Sequence, residues 1–138
     1  MLSRSCEYGL RAALYLASLD EDGYVPISTI SDELGISFPF LTKIFQRLND
    51  ADLLTSKRGP NGGVALNCPA DKVTLYEIVA AIDGTDLFHE CVLGLPGCGD
   101  AEPCPLHDQW TGKREQIESM FRNATLAELP NVRLTVLD

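Results

Sequence analysis

Two short helices joined by a glycine, and followed at once by a hairpin, most constrain what this chain can fold into. The first helix is predicted over 28–35, where Gly35 ends it in the manner of a left-handed C-cap. The second is predicted over about 37–51, with Ser37 as its N-cap and Pro39 in its first turn. This order is typical of a helix-turn-helix, whose second helix enters the DNA major groove, although any pair of antiparallel helices shares it.

The residues that follow indicate a winged helix rather than a plain helical pair. Residues 53–56 and 64–66 predict two short strands. Between them lies Lys57-Arg58-Gly59-Pro60-Asn61-Gly62-Gly63, in which Asn-Gly-Gly favours a hairpin turn. A basic, glycine-rich tip can approach a phosphate backbone or a minor groove closely, although an ordinary solvated turn would have the same composition.

Three further helices are predicted, so the expected fold is mainly α with one small β-wing. Apolar residues at three- and four-residue steps predict a helix over 3–19, with Ser3 as its N-cap, and another over 73–82. The last long helix is predicted over about 106–123. Residues 123–129 indicate a fresh cap and one more helical turn.

This pattern divides the chain into a winged helix-turn-helix DNA-binding domain over 1–83, a cysteine-bearing loop over 84–105, and a dimerisation helix with a tail over 106–138. The large apolar residues of the last helix are Trp110, Ile117, Met120 and Phe121. They are too many for one exposed helix on a small domain, so they predict a dimer interface. The alternative is that this helix folds back on its own core.

Charge is unevenly distributed along this chain of 138 residues, whose formal net charge is −9. Residues 1–63 carry −2 and residues 64–138 carry −7, yet within 37–63 four basic residues outnumber two acidic ones. An acidic chain argues against non-specific nucleic-acid binding, but a local basic surface can still dock on DNA in a defined geometry. No apolar run approaches the roughly 18 residues that span a membrane, and no secretory signal is evident, so we expect a soluble cytoplasmic protein.

Three of the five cysteines lie within fourteen residues of a loop rich in glycine and proline, at Cys91, Cys98 and Cys104, and His107 follows closely. Thiolates bind soft or borderline metals and iron–sulfur clusters, and such a backbone lets several sulfurs converge on one centre. One alternative is a surface loop with incidental thiols. Another is a zinc site, because three cysteines and a histidine are also a zinc set and Cys104-x-x-His107 has ordinary zinc spacing.

Taken in order, these motifs resemble the Rrf-type family of bacterial winged-helix transcriptional regulators. The matching stretches are Glu7-Tyr8-Gly9-Leu10-Arg11-Ala12, the helix from Ile36-Ser37 to Leu48, Arg58-Gly59-Pro60-Asn61-Gly62-Gly63, the cysteine triplet and Thr125-Leu126-Ala127-Glu128-Leu129. The resemblance covers nearly the whole chain. It implies a repressor that binds a double-stranded DNA operator as a homodimer and responds to iron, redox state or nitric oxide.

By this resemblance the three loop cysteines bind a [2Fe–2S] or [4Fe–4S] cluster, in preference to zinc. The fourth ligand varies within the family. It is either a histidine shortly after the last cysteine, here His107, or a carboxylate on the first helix of the partner subunit, here Glu7. Glu7 is slightly favoured, because His107 could equally cap the long helix that begins there. The resemblance also implies that the two subunits pack through the helix over 106–123.

The N-terminal part of the second helix and the tip of the wing are the expected DNA-binding elements. The candidates on the helix are Ser37, Pro39, Phe40, Thr42, Lys43 and Arg47, and those at the wing are Lys57, Arg58, Gly59, Pro60, Asn61 and Gly62. No acidic or amide residue stands in the first turn of the helix, so that turn does not specify an operator sequence. An enzyme is not expected, because the chain lacks a Cys-x-x-Cys pair and a nucleotide-binding glycine motif.

Overall fold

The computed structural model describes residues 2–19, 23–95 and 103–129. The helices are α1 Arg4–Ser18, α2 Ile27–Leu34, α3 Phe38–Asp50, α4 Leu75–Ile82 and α5 His107–Asn123, and the strands are β1 Leu54–Lys57 and β2 Gly63–Leu66. The predicted fold, mainly α with a two-stranded wing, is confirmed. The predicted tail over 130–138 lies outside the described residues.

The helix-turn-helix forms where local capping predicted it. Gly35 ends α2 at a φ of 71°, which is the left-handed region that glycine adopts without strain. Two residues later Ser37 begins α3, with its hydroxyl oxygen accepting from the Phe40 backbone N–H at 3.4 Å. At the start of the chain, Ser3 caps α1 in the same way by accepting from the Cys6 N–H at 3.1 Å. Sequence-local chemistry therefore positions α3 against α2.

The turn of the wing differs from the predicted Asn-Gly hairpin. The Gly62 N–H donates to the Gly59 carbonyl at 2.9 Å, so Pro60 and Asn61 are the central residues of the turn. Proline presets the φ of the second turn position, which explains this choice. At the base of the wing, Gly63 has a φ of 148°, and a Cβ there would collide with the backbone of Val25. That closeness lets β2 pair with Val25 and joins the wing to the segment before α2.

A single apolar core holds α1, α2, α3, α4 and the wing together. The largest fully buried side chains include Ile30, Leu34, Leu41, Leu48, Val64, Ile78 and Val79. Each contributes about 1.5–3 kcal/mol by leaving water. Helices α1 and α4 approach closely at Gly9, where a side chain would collide with Ile82. The core thus fixes α3 from its inner face and leaves its outer face free.

The chain returns to α4 after α5. The Leu75 N–H donates to the Ala124 carbonyl at 2.9 Å, and the Leu126 N–H donates to the Val73 carbonyl at 3.0 Å. The cap and helical turn predicted over 123–129 are only partly confirmed. Asn123 is the last residue of α5 and Thr125 forms an isolated antiparallel bridge, but one hydrogen-bonded turn follows, in which the Glu128 N–H donates to the Thr125 carbonyl at 3.3 Å. These bonds anchor the C-terminal end of α5 to the beginning of α4.

Helix α5 uses part of its apolar face within its own chain. Phe121 is buried and its ring lies edge-on to Phe88, with centroids 5.7 Å apart, while Ile117 is half-buried against the same core. Met120, in contrast, is 58% exposed. The prediction that all four large apolar residues face a partner is therefore wrong for Phe121, which its own core already covers. None of the described helices has the length and apolarity needed to cross a bilayer.

Candidate functional site

The recognition helix α3 and the wing enclose an open groove of about 510 Å³. From α3 its wall carries Phe38, Thr42, Phe45, Gln46, Asn49 and Asp50, and from the wing it carries Ser56, Lys57, Arg58, Gly59, Gly62 and Gly63. The α3 side of the groove therefore combines three uncharged polar side chains with two phenylalanines and one carboxylate, and the wing side carries two basic side chains. This arrangement suits a helix that meets base edges beside a wing that meets phosphates.

The candidates on the first turns of α3 fall on different faces. Ser37, Pro39 and Lys43 are exposed, as the proposed approach to DNA requires. Thr42 lies at the groove, but its hydroxyl donates to the Phe38 carbonyl at 2.9 Å. Phe40 is half-buried, and its ring lies 5.4 Å from that of Tyr8 on α1. Phe40 thus packs against α1 and is not on the wall of the groove.

Arg47 is also directed away from the groove. Its Nη1 donates to the carbonyl of Ile82, the last residue of α4, at 2.9 Å. The last carbonyls of a helix lack intrahelical partners and carry partial negative charge, so a guanidinium there is stabilising. The structure therefore places Arg47 as a tie between α3 and α4.

The wing exposes the basic residues that the sequence singled out. Lys57 and Arg58 are exposed, and Lys57 Nζ lies 6.0 Å from the centre of the Tyr24 ring. Pro60 and Asn61 stand exposed at the tip of the turn. The tip therefore exposes both its main chain and positively charged side chains, and both can contact the phosphates of DNA.

Sequence reasoning missed two residues that the groove brings forward. Phe38 is 50% exposed at the start of α3, and Gln46 is exposed two turns further along the same wall. The signal that could have found them is the four-residue step from Phe38 through Thr42 to Gln46, which places one row of side chains on one side of a helix.

The first of the candidate metal ligands, Cys91, follows the short turn that ends at Phe88. The Leu93 N–H donates to its sulfur at 3.4 Å. Backbone N–H groups of Leu95 and Leu93, together with the neighbouring Cys104 side chain, lower the pKa of Cys91. Amide donors stabilise the thiolate, and the thiolate is the form that binds metals.

Cys104 and His107 lie one turn apart at the start of α5. The His107 N–H donates to the Cys104 carbonyl at 3.0 Å, and His107 is 9% exposed. Cys98 lies outside the described residues. Glu7 is exposed on the first turn of α1. Within residues 2–19, 23–95 and 103–129, no three His, Cys, Asp or Glu side chains lie close enough to hold a metal ion.

Helix α5 also holds the backbone just before Cys91. Trp110 Nε1 donates to the Glu90 carbonyl at 2.9 Å. Arg114 Nη1 donates to the same carbonyl at 3.2 Å and to the His89 carbonyl at 3.1 Å. The helix that begins beside Cys104 therefore also fixes the approach to Cys91, so it brings the two cysteines together.

The remaining described cysteines lie elsewhere. Cys6 is completely buried in the core, and this burial, with the nearby Asp83 carboxylate, raises the pKa of Cys6 to about 12. Asp83 in turn accepts from the Ser3 N–H at 2.9 Å, so it joins α4 to the start of α1. Cys68 is half-buried after β2. Neither is part of the pair at Cys91 and Cys104.

Comparison with known sequences gives a consistent family. Residues 2–131 match the Rrf2 family, described as "Iron-dependent Transcriptional regulator". The chain is 35% identical over 130 residues to the HTH-type transcriptional regulator IscR of Yersinia enterocolitica, and this match covers 94% of the chain and 79% of that protein. IscR of Yersinia pestis gives the same identity and coverage.

Solved structures agree on the fold. The oxidised form of CymR from Staphylococcus aureus is 25% identical, with a TM-score of 0.75 that covers 96% of this chain and 99% of that one. IscR of T. potens has a TM-score of 0.74 at 23% identity, covering 93% and 84% of the two chains, and supports the fold alone. The groove, the family match and the identity to IscR lead to one conclusion: the chain belongs to the Rrf2 family of transcriptional regulators, and it is a winged-helix DNA-binding regulator rather than an enzyme.

Proposed function

We propose that this regulator binds an operator as a homodimer in the cytoplasm, represses transcription there, and changes its DNA affinity when an iron–sulfur cluster at Cys91, Cys98 and Cys104 is gained or lost. The observation that carries the proposal is that the Cys104 side chain, just before α5, lies beside the Cys91 thiol. The description of the family as iron-dependent supports iron over other metals.

The described donors have the chemistry that such a group requires. Backbone N–H groups favour the thiolate of Cys91, and the Cys104 side chain lies beside it. Thiolates hold iron–sulfur clusters, and hydrogen bonds to their sulfurs tune the redox potential. When bound, the group would supply reversible redox and ligand-exchange chemistry. The protein's own part is to hold two sulfurs in place through α5, with Cys98 as the third.

Two side chains compete for the fourth position, and the structure offers an argument for each. His107 lies one helical turn from Cys104 and is largely buried, so it is close to the described pair. Glu7 is exposed on α1, where a second subunit could approach it. Either donor binds iron less strongly than a thiolate, so we propose that this corner is the one that responds to the signal.

The proposed response has a short route to the recognition helix. The cysteine-bearing segment begins directly after α4, and the end of α4 is tied to α3 through Arg47 and to α1 through Asp83. A movement at the end of α4 would therefore bias the position of α3. A switch needs differential contacts in two states, and these two ties are contacts that could differ.

Anaerobic reconstitution with ferrous iron and sulfide tests this function. We expect a brown protein with charge-transfer absorption, loss of that absorption in Cys98→Ala, and full absorption in the control Cys68→Ala. Operator affinity, measured with and without the cluster, should then differ. Glu7→Ala and His107→Ala identify the fourth ligand, because only one of them should weaken the cluster.

Other results would contradict parts of the proposal. A full cluster in Cys98→Ala would contradict the proposed cluster site. A colourless protein that holds one zinc ion per chain, lost on mutation of Cys104 or His107, would favour the zinc-stabilised regulator instead, since a backbone hydrogen bond holds these two residues one turn apart at the start of α5. A monomer in sedimentation at micromolar concentration would contradict the homodimer.

A further inference from the structure

One row of side chains on α3 faces the wing across the groove. Phe38, Thr42 and Gln46 stand at four-residue steps and all line the groove wall. At 1.5 Å per residue, Gln46 lies about 12 Å from Phe38 along the helix axis. The row is therefore long enough to follow several base pairs of a half-site.

Most polar groups near this row are already engaged or charged. The Thr42 hydroxyl donates to the Phe38 carbonyl, and Arg47 donates to Ile82 on the opposite flank. Lys43 is exposed, and its ammonium is a point charge that suits phosphates as well as bases. Gln46 is exposed and uncharged, and its side-chain amide makes no hydrogen bond within the described part of the chain.

The chemistry of that amide selects one kind of base. A carboxamide offers a donor and an acceptor side by side, and adenine presents the complementary N7 acceptor and N6 donor in the major groove. An amide can also donate to a phosphate oxygen, but it neutralises no phosphate charge, so the two kinds of contact differ in their dependence on salt. We propose that Gln46 is a specificity-determining residue that binds the adenine of an A·T base pair in each operator half-site. This inference rests on the proposed operator binding and adds a base identity to it.

Asn49 is the other amide on the same wall, but it is the weaker candidate. It stands nearly one turn nearer to the end of α3. Its side chain is also one methylene shorter, so it reaches less far from the helix. The two can be separated by experiment, because each would affect a different position of the selected DNA sequence.

The test is selection from a randomised double-stranded DNA library, with each enriched position then measured by binding of single-base variants. The wild-type protein, Gln46→Ala and Gln46→Glu are compared, with Gln116→Ala on the exposed face of α5 as the matched control. We expect Gln46→Ala to lose about 5- to 150-fold discrimination at one A·T position and to keep its preferences elsewhere. Gln46→Glu should shift that position towards C·G, because a carboxylate accepts from cytosine N4.

The salt dependence of binding separates base contact from phosphate contact. Gln46→Ala should leave the slope of log affinity against log salt unchanged, since no counterion is released by an amide. A motif that is enriched by the wild-type protein and is unchanged in Gln46→Ala would overturn this inference alone. Failure of the wild-type protein to enrich any motif would contradict operator binding itself.

Discussion

The winged-helix body, residues 2–19 and 23–88, and the cysteine segment, residues 89–95 with 103–106, are held in different ways. The body is fixed by buried apolar side chains from four helices and the wing. The cysteine segment is held mainly by donors on α5, where Trp110 and Arg114 bind backbone carbonyls just before Cys91. Apolar burial is non-directional and summed over many groups, whereas each hydrogen bond contributes about 1 kcal/mol. The body therefore depends on many summed apolar contacts, whereas the cysteine segment depends on a few hydrogen bonds that single substitutions can remove.

The largest expected effect comes from truncating the core of the body. Leu41 on α3 is fully buried, so Leu41→Ala should lower the free energy of unfolding by about 2–5 kcal/mol through lost burial and a residual cavity. Urea denaturation measures it. Leu93→Ala in the cysteine segment, where the side chain is 51% exposed, should cost less than half as much. Equal losses at the two positions would break the proposed contrast between the regions.

The second effect is a pH dependence of the free energy of unfolding that arises from Cys6, which lies in the body. Because burial raises the pKa of Cys6 to about 12, the unfolded chain loses this proton first as pH rises above 9.0. The stabilising contribution is therefore complete below that pH and is lost progressively towards pH 12, by a few kcal/mol at most. Cys6→Ala should flatten this decline relative to the wild-type protein, while Cys68→Ala should not. The free energy of unfolding is measured in urea at several alkaline pH values. If it falls with pH equally steeply in the wild-type protein and both variants, Cys6 is not the source of the decline.

A smaller effect is expected at the clamp on the cysteine segment. Trp110→Phe keeps an aromatic ring and removes the donor to Glu90, so the free energy of unfolding should fall by only about 0.5–1.5 kcal/mol. The reconstituted protein should nevertheless lose iron to a chelator faster, because the backbone before Cys91 is less constrained. Lys113→Ala, at an exposed neighbouring position, is the control. Iron loss at the wild-type rate would show that the clamp does not support the metal site.

The smallest effect is at the wing. Arg58→Ala should weaken binding about equally for all DNA sequences and reduce the salt slope by about 1, since one fewer phosphate is neutralised. Binding is measured over a series of salt concentrations. Arg47→Ala is the matched comparison, because that guanidinium binds Ile82 and should leave the slope unchanged. A lower slope in Arg47→Ala would mean that this arginine reaches DNA.

Whether a structural feature could be predicted from the sequence depends on how far apart along the chain the interacting residues lie. The caps at Ser3 and Ser37 and the stop at Gly35 were predictable, because each depends on residues within one turn. The direction of Arg47 was not, because it depends on where α4 ends, and α4 is distant in the chain. The faces of α5 were mistaken for the same reason, since Phe121 meets Phe88 only after the chain has folded back. The site of Cys98 lies outside the described residues, so its grouping with Cys91 stays a prediction.

The anchoring of α5 at one end makes it a lever. Its 17 residues span about 26 Å, and its far end is pinned where Ala124 and Leu126 bind Leu75 and Val73. A displacement of about 1 Å at His107 would tilt such a rod by roughly 2°, and Arg114, near its midpoint, would move about half as far. The fixed end of α5 contacts Leu75, the first residue of α4. The last residue of α4, Ile82, binds Arg47 on the recognition helix. The short helix α4 therefore connects the fixed end of α5 to the helix that is expected to contact DNA.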